Sequence, residues 1–209
     1  MSVASTVPVR LCRLLRYTYV EGILEKRAPH RAAHLAHWTP HVEQGKLFLG
    51  GALDPPDAAY LAFNGLEHDE LERHVQNDPY VLAGLVPEHS IHRWNVVLGP
   101  TPGPVFPMTC RLLRYAYVED ILDKRGPFRQ AHLAHWAQLD GSDNGRLLLA
   151  GGALDPAEGA FLAFAGVARE ELESLIGEDP YVTNGLVTST DIYDWTVVIG
   201  MAPPVADND

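Results

Sequence analysis

The chain reads CRLLRYTYVEGILEKRAPHRAAHLAHW at residues 12–38, and nearly the same letters, CRLLRYAYVEDILDKRGPFRQAHLAHW, return at residues 110–136. Three shorter motifs also occur twice and in the same order: GGALDP at 50–55 and 151–156, DPYV at 78–81 and 179–182, and a closing WNVVLG or WTVVIG at 94–99 and 195–200. A repeat of about 90 residues is too long for a solenoid unit, and two copies are too few for an array. The sequence therefore predicts two copies of one small domain.

A proline-rich segment, PTPGPVFPMT at residues 100–109, separates the copies. Its prolines lack amide donors and favour an extended connector, so the domain boundaries are expected there. Two similar copies can pack about a pseudo-two-fold axis, as the subunits of a symmetric dimer do. We expect an intramolecular pseudodimer, and the sequence leaves a further homodimer open. The predicted layout is domain 1 at residues 10–99, the linker at 100–109, domain 2 at 110–200 and a C-terminal tail at 201–209.

Within each copy, the pattern of apolar residues predicts the order β-α-β-β-α-β. In the first copy the predicted elements are a strand at 13–20, a helix from 29 to a stop at Gly45, strands at 46–49 and 60–63 joined by a GGALDPPDA turn, a helix ending near Asn77, and a strand at 91–98. Trp94, Val96 and Leu98 are expected on one face of that last strand. This order favours an α+β fold of two ferredoxin-like units, each an antiparallel sheet with helices on one face. The second copy would bury the other face.

Composition and charge limit the classes of function. The 209 residues are 46% apolar and 21% charged, which is ordinary for a globular protein and excludes disorder over most of the chain. A formal net charge of −11 disfavours nucleic acid and anionic membranes as partners. No window approaches the ~20 apolar residues of a membrane helix, and two cysteines are too few for a disulfide framework. We expect a cytoplasmic protein whose partner is a small-molecule ligand.

The histidines provide the first candidates for chemistry. On a helical wheel they form a stripe whose second-copy matches are partly apolar: His30, His34, His37 and His41, matched by Phe128, His132, His135 and Leu139. Apolar matches at the ends of the stripe indicate a shielded position. A shielded histidine beside a carboxylate is a candidate for proton transfer, which makes His34 and His132 candidate catalytic residues. The alternative is a histidine that is simply hydrogen-bonded in the core.

Two pairs of aspartates recur in both copies. Asp78 and Asp179 are the candidate partners of the histidines, but each precedes Pro-Tyr and equally fits a helix N-cap. Asp54 and Asp155 follow GGAL in the predicted turn, where aspartate often bonds its own backbone. We count this second pair as candidate substrate-binding residues.

Arginines flank the start of the histidine-bearing helix in both copies. Further candidates for holding an anionic substrate are therefore Arg27, Arg31, Arg125 and Arg129, together with His37 and His135. Ion pairing of these arginines with carboxylates is an equally good interpretation. The recurring aromatic residues are interpreted as packing residues: Tyr17, Tyr19, Tyr80 and Trp94 with Tyr115, Tyr117, Tyr181 and Trp195.

Cofactor and metal motifs are missing from the sequence. It has no glycine-rich phosphate loop, HExxH, paired CxxC or GxSxG motif, so we expect no cofactor and no metal. The weak alternative is a metal held by His34 and His37 with Asp78 or Asp54.

The motifs RAAHLAHW, KLFLGGALD, DPYVLAGLV and WNVVLG resemble the YciI-like family, whose unit is the YCII-related domain, and the second copy matches over nearly its whole length. The resemblance implies a ferredoxin-like fold that pairs into a dimeric α+β barrel, the arrangement of muconolactone isomerases and small antibiotic monooxygenases. It also implies a His/Asp acid–base site at His34 with Asp78 and at His132 with Asp179. A few members are linked to aromatic-ring degradation as dehydrochlorinases. Members are usually single domains, whereas this chain carries its partner fused, so its two sites are free to diverge.

Two functions are consistent with these residues. The first is a cofactor-independent lyase or isomerase acting on a small aromatic or anionic substrate, with His34 oriented by Asp78. The second is a non-catalytic ligand-binding or structural pseudodimer, in which the same pair only stabilises the core.

Overall fold

Two halves of similar structure make up the described part of the chain. The computed structural model describes residues 9–99, 108–139 and 145–200, so the predicted tail and residues 100–107 of the predicted linker lie outside the described residues. The first half contains β1 (Arg10–Thr18), α1 (Ile23–Lys26), a 3-10 helix (Ala28–His30), α2 (Arg31–Glu43), β2 (Leu47–Asp54), β3 (Ala58–Asn64), α3 (His68–Gln76), α4 (Pro79–Leu82) and β4 (Glu88–Leu98). The second half contains β5 (Met108–Tyr117), α5 (Ile121–Lys124), α6 (Arg129–Ala137), β6 (Leu147–Asp155), β7 (Gly159–Ala165), α7 (Arg169–Glu178), α8 (Pro180–Thr183) and β8 (Val187–Ile199). A mixed fold with two repeated, strand-rich units is confirmed.

The strands of both halves form one closed barrel in the order β1-β3-β2-β8-β5-β7-β6-β4, with antiparallel pairing throughout. Within the first half the order is β4-β1-β3-β2, and the second half repeats it as β8-β5-β7-β6. The halves join along two seams, where β2 pairs with β8 and β4 pairs with β6. Each half therefore completes the hydrogen bonding of the other's edge strands.

The barrel interior holds a core to which both halves contribute. Its buried members include Cys12, Leu14, Trp94, Cys110, Leu112 and Trp195. Burying large apolar side chains of this kind stabilises a fold by roughly 1.5–3 kcal/mol each. Separate clusters lie between the outer sheet faces and the helices, and they include the fully buried Trp38 of α2 and Trp136 of α6. The sheet is thus covered on its inner face by the other half and on its outer face by its own helices.

The glycine pair of GGALDP lies in a strand and marks the seam between the halves. The sequence predicted a turn over GGALDPPDA, but residues 50–54 belong to β2 and only residues 55–57 form the turn. The reason is close backbone approach: a Cβ on Gly51 would collide with the Thr196 carbonyl oxygen of β8. The Gly51 carbonyl oxygen in turn accepts a hydrogen bond from Trp195 Nε1 at 2.9 Å. Glycine is therefore required here by strand pairing, not by a turn.

The last strand of each half changes face at a bulge. Trp94 and Val96 share a face, as predicted, and both belong to the barrel core, but the pairing register shifts between Val96 and Leu98. Leu98 consequently packs against the outer core of the second half, and the prediction that it shares a face with Trp94 is wrong. Ile199 makes the equivalent contact with the outer core of the first half. In the part of the chain that the structure describes, no helix is long and apolar enough to cross a membrane.

Candidate active site

Asp78 is the centre of the first half's site. It immediately precedes α4, and its Oδ1 caps that helix by accepting a hydrogen bond from the Tyr80 backbone N–H at 2.8 Å. His34 of α2 lies on the same carboxylate, with Nδ1 at 2.8 Å from Oδ1 and 3.0 Å from Oδ2. The two interpretations that the sequence left open for Asp78, a helix cap and a histidine partner, therefore hold together.

Two aromatic side chains complete the shell of Asp78. Trp38 Nε1 donates to Oδ2 at 2.8 Å, and the Tyr17 hydroxyl donates to the same oxygen at 2.9 Å. Asp78 itself is fully buried, with 0% of its surface exposed. A buried carboxylate is stable only when its oxygens are satisfied, and four donors satisfy this one. Tyr17 was interpreted from the sequence as a packing residue, so its polar role was missed.

The charge state of Asp78 follows from this shell. Burial alone would raise the pKa of the carboxyl group, but the hydrogen bonds and charge of His34, followed by the bonds from Tyr80 and Trp38, lower it below its usual 3.8. Asp78 is therefore an anion at neutral pH, and the His34 nitrogen that faces it must carry a proton. Burial and the Asp78 charge raise the pKa of Tyr17 well above 10, so its hydroxyl also remains a donor.

The His34 ring is fixed in orientation. It stacks on the Tyr80 ring with a centroid separation of 3.8 Å and an interplanar angle of 1°. With Nδ1 bound to Asp78, Nε2 is the ring nitrogen that has no hydrogen-bond partner among the described residues. A neutral imidazole held in this way presents an unshared electron pair at Nε2, which is the arrangement of a general base.

The second half repeats this geometry closely. His132 Nδ1 lies 2.7 Å from Asp179 Oδ1, and Trp136 and Tyr115 donate to Oδ2 at 2.8 and 3.0 Å. The Tyr181 backbone N–H caps onto Asp179 at 2.8 Å, and the Tyr181 ring stacks on His132 at 3.8 Å. The pKa of Asp179 is also lowered, because the bonds from His132 and its neighbours outweigh the effect of burial.

The spaces beside the two histidines differ greatly in size. A cavity of about 530 Å³ has His132, Arg125, Arg129 and Tyr181 in its wall, together with residues 95, 97 and 98 of the first half. The space beside His34 measures only about 30 Å³. A separate hollow of about 460 Å³ lies further out, between residues 19–25 and residues 55–57. The second half thus has one continuous cavity where the first half has two separate spaces.

The predicted arginines lie in these walls. Arg27 and Arg31 line the small space beside His34, as Arg125 and Arg129 line the large one. Burial raises the pKa of Tyr80, although the nearby charges of Arg27 and Arg31 partly oppose this, so the phenol stays protonated. The Tyr80 hydroxyl is buried, and it has no hydrogen-bond partner among the described residues.

Apart from Asp155, the other predicted site residues lie away from the buried His34–Asp78 and His132–Asp179 pairs. His37 Nε2 donates to the His74 carbonyl oxygen at 3.0 Å, and His135 Nε2 donates to the Leu175 carbonyl oxygen at 2.8 Å. These two histidines therefore join neighbouring helices. Asp54 is exposed at the end of β2, outside the wall of the space beside His34.

Asp155 is the exception. It lies in the wall of the large cavity and forms an ion pair with Arg93 at 3.0 Å. Its partner Arg93 comes from the first half, so this ion pair crosses the seam between β4 and β6.

Metal binding by His34 and His37 does not fit this arrangement, because the two imidazoles bond in different directions. Nδ1 of His34 faces Asp78, whereas Nε2 of His37 faces a backbone carbonyl oxygen on α3. Within the described ranges, no group of three histidine, cysteine or acidic side chains is arranged to hold a metal ion.

A histidine cluster occurs in the first half alone. His41 packs edge-on against His74 with ring centroids 4.3 Å apart, and its Nδ1 is buried without a partner among the described residues. Burial, followed by the charges of His74 and Lys46, lowers the pKa of His41 from 6.5 to about 4. The positions of His41 and His74 are occupied by Leu139 and Leu175 in the second half.

The fold and the paired sites define a dimeric α+β barrel contained in one chain. Residues 12–95 match the family model of the YCII-related domain. This match covers most of the first half of the chain, and the second half repeats the same motifs. No curated protein sequence matches the chain.

Solved structures share the architecture of the whole chain. A proposed monooxygenase from Lactobacillus acidophilus is 13% identical, with 91% of this chain and 94% of that chain covered and a TM-score of 0.56. A proposed monooxygenase from Fusobacterium nucleatum is 9% identical, with 93% and 94% covered and a TM-score of 0.60. Both likenesses establish the barrel fold. The 5-chloro-2-hydroxyhydroquinone dehydrochlorinase from Burkholderia phenoliruptrix, solved with 2,5-dihydroxybenzoquinone, is 28% identical over 40% of this chain and 92% of its own, with a TM-score of 0.35.

Proposed function

We propose that the chain is a small-molecule enzyme in which His132 exchanges a proton with a substrate held in the large cavity of the second half. The observation that carries this proposal is that His132, tied through Nδ1 to the anionic Asp179, lies in the wall of a cavity of about 530 Å³. Cavities of roughly 300–1,000 Å³ are typical of sites for small organic ligands. The two halves would be ferredoxin-like units forming an intramolecular pseudodimer, which agrees with the strand order β4-β1-β3-β2.

The proposed reaction begins at Nε2 of His132. This nitrogen accepts a proton from a carbon or hydroxyl group of the substrate, and the resulting imidazolium is stabilised by the Asp179 carboxylate. In a lyase reaction the electron pair of the broken C–H bond forms a double bond, and the leaving group departs with its own electron pair. In an isomerase reaction the proton returns to a different atom. Neither reaction requires a cofactor, and a positioned acid or base contributes ~10²–10⁴-fold in rate.

The arginines define the class of substrate. Arg125 and Arg129 lie in the same wall as His132, and guanidinium groups bind carboxylate or phenolate oxygens through paired hydrogen bonds. Apolar side chains, among them Leu133, Leu154 and Leu162, line the same cavity and suit an apolar ring. We infer a small aromatic or unsaturated anion as the substrate.

A second candidate function is a non-catalytic binding module. It is favoured by the full satisfaction of Asp78 and Asp179, because each carboxylate also caps a helix and anchors three side chains of the core. This structural role alone is enough to explain why each half contains a buried His–Asp pair. The two functions differ in whether His132 is required for turnover or only for folding.

Deuterium exchange distinguishes the two functions. A panel of small phenols and unsaturated carboxylates is incubated with the protein in D2O, and incorporation of deuterium at carbon is followed by proton NMR. We expect exchange by the wild type and by His34→Gln, and a loss of about 100-fold or more in His132→Gln. Exchange that survives in a folded His132→Gln protein would contradict the proposal. Binding without exchange, unchanged in that variant, would favour the binding module.

A further inference from the structure

A second cavity, of about 370 Å³, lies at one mouth of the barrel. Its wall includes inward-facing strand residues at the edge of the barrel core and beyond it. On β1 the positions Cys12 and Leu14 belong to the barrel core, and Arg16 is the next residue on the same face. Arg114 occupies the matching position on β5. The cavity therefore lies where the two halves present equivalent arginines to one another.

The arginines at this mouth are weakly paired. Arg16 Nη1 donates to the Thr18 hydroxyl at 3.0 Å, and within the described ranges no carboxylate lies in ion-pair distance of Arg16. Arg114 reaches Asp191 at 3.3 Å, but both side chains are nearly half exposed, and such surface pairs contribute little. Two guanidinium groups are thus available to an anion that enters the cavity.

The acidic groups around the mouth do not neutralise the positive charges of Arg16 and Arg114. Asp155 is part of the wall but pairs with Arg93 at 3.0 Å. Glu158 lies at the rim, where its side chain is exposed to water. Solvent screens a charge of this kind more strongly than the half-buried guanidinium of Arg16.

Aromatic side chains form another part of the cavity wall. The rings of Tyr60 and Phe161 lie 5.4 Å apart at an angle of 50°, and Tyr193 lines the same space. Flat aromatic or unsaturated groups pack well on such surfaces, and cations beside them favour a ligand that carries both a ring and a negative charge. His92 and Ser90 add a hydrogen-bonding pair, with Ser90 Oγ 3.0 Å from His92 Nε2.

From this juxtaposition we propose that the barrel mouth is a binding site for a small aromatic carboxylate. Its carboxylate group contacts Arg16 and Arg114, and its ring lies on Tyr60, Phe161 and Tyr193. The site is distinct from that of His132, although the two cavities share residues 154–156 as a common wall. It does not depend on the proposed enzyme activity.

Benzoate is the probe for this site, and its binding to the full chain is measured by titration calorimetry. We expect Arg16→Gln to weaken benzoate binding by about tenfold or more, because a charged hydrogen-bonding partner is lost. Arg10→Gln is the matched control. It removes the same charge from the same strand and face at the opposite mouth, where Arg10 lies over Phe48. Benzyl alcohol and inorganic phosphate test whether the charge and the ring are both needed.

The outcomes distinguish benzoate bound at the barrel mouth from benzoate bound beside His132. Weaker benzoate binding in Arg16→Gln, with normal binding in Arg10→Gln and His132→Gln, supports the proposal. Loss in His132→Gln but not in Arg16→Gln would overturn it, since benzoate would then occupy the other cavity. Equal affinity for phosphate, or unchanged binding in Arg16→Gln, would also overturn it. If Arg16→Gln fails to fold, the exposed Arg114→Gln provides the same test.

Discussion

The His34 and His132 sites have the same hydrogen-bonded geometry but differ in the space beside it. In both, an anionic aspartate accepts hydrogen bonds from a histidine, a tryptophan, a tyrosine and a backbone N–H. The volume next to the histidine is nevertheless about 30 Å³ in the first half and about 530 Å³ in the second. The buried network has the same members in both halves, whereas the cavity beside it does not, so we infer that the cavity is the part that can diverge between the two copies.

The two halves also differ in the residue that lies opposite the glycine pair. A Cβ on Gly50 would lie 2.9 Å from Cγ2 of Ile199, which shows that the branched side chain of Ile199 fills the space beside that glycine. At the matching position in the second half, Leu98 is not among the nearest neighbours of Gly151, whose closest contact is Leu162 at 3.2 Å. Branching at Cβ places bulk close to the backbone, and leucine places it one atom further away.

The largest expected effect tests what the two sites share. We expect Asp78→Asn and Asp179→Asn each to lower the free energy of unfolding by about 3–5 kcal/mol, because an amide cannot accept from all four donors. Urea unfolding monitored by circular dichroism measures this. Glu67→Gln is a surface control, since it removes a carboxylate that is almost fully exposed in its pair with Arg13. A loss below about 1 kcal/mol in both aspartate variants would contradict the proposed structural role.

The stability of the same two variants should depend on pH differently from that of the wild type. The pKa of Asp78 and Asp179 is lower in the fold than the ordinary 3.8, so each contributes stability above pH 3.8. That contribution is lost as the pH falls through the pKa of the folded state. The asparagine variants are expected to show a shallower fall in stability during acid titration than the wild type.

Much of the similarity between the two halves could be predicted from the sequence. The features that could not be predicted were missed for physical reasons. The repeated motifs predicted the two units, and the family resemblance implied that His34 and Asp78 would meet. The hydrogen bond from Tyr17 to Asp78 joins residues 61 positions apart, so spacing along the chain gave no sign of it. A better signal was available in principle, because a buried tyrosine hydroxyl or indole N–H requires a partner.

The strand pairing between the two halves and the sizes of the cavities could not be predicted from sequence patterns, for a different reason. Gly51 was assigned to a turn because glycine pairs usually indicate turns, and only the pairing of β2 with β8 shows why glycine is needed. Cavity volume depends on small differences in packing between similar residues, such as Ile199 and Leu98. Those differences arise from contacts between the halves, which local periodicity does not encode.

A smaller effect concerns a feature that only the first half has. Because the pKa of His41 is lowered from 6.5 to about 4, the unfolded chain binds a proton between these pH values that the folded chain does not. Stability should therefore decrease as the pH falls from 6.5 to about 4, by at most about 1.4 kcal/mol per pH unit from this group. His41→Leu, which copies Leu139 of the second half, should remove that part of the decrease.

Thermal unfolding of the wild type and His41→Leu at pH 7.5, 6 and 5 measures this effect. The titratable and charged groups that act on His41 are His37, Lys46, Glu70 and His74, and they are unchanged in the variant. His30→Phe, which copies Phe128 in the second half, is the control for introducing an apolar residue at a partly exposed position of the same stripe. If the stability of the wild type and of His41→Leu changed with pH in parallel, the assignment of this pH dependence to His41 would be contradicted.

The smallest expected effect tests the origin of the difference between the two cavities. Exchanging Leu98→Ile should narrow the large cavity, whose wall contains Leu98, and Ile199→Leu should widen the small space whose wall contains Gly50 and Ile199. Swaps of this kind conserve volume and usually cost less than about 1.5 kcal/mol in stability, so both variants should fold. Binding of a phenol that occupies the second-half cavity should weaken by a few fold in Leu98→Ile and remain unchanged in Ile199→Leu. Crystal structures of both variants would show the volumes directly, and unchanged volumes would shift the cause to other positions at which the two walls differ, such as Pro56 and its match Ala157.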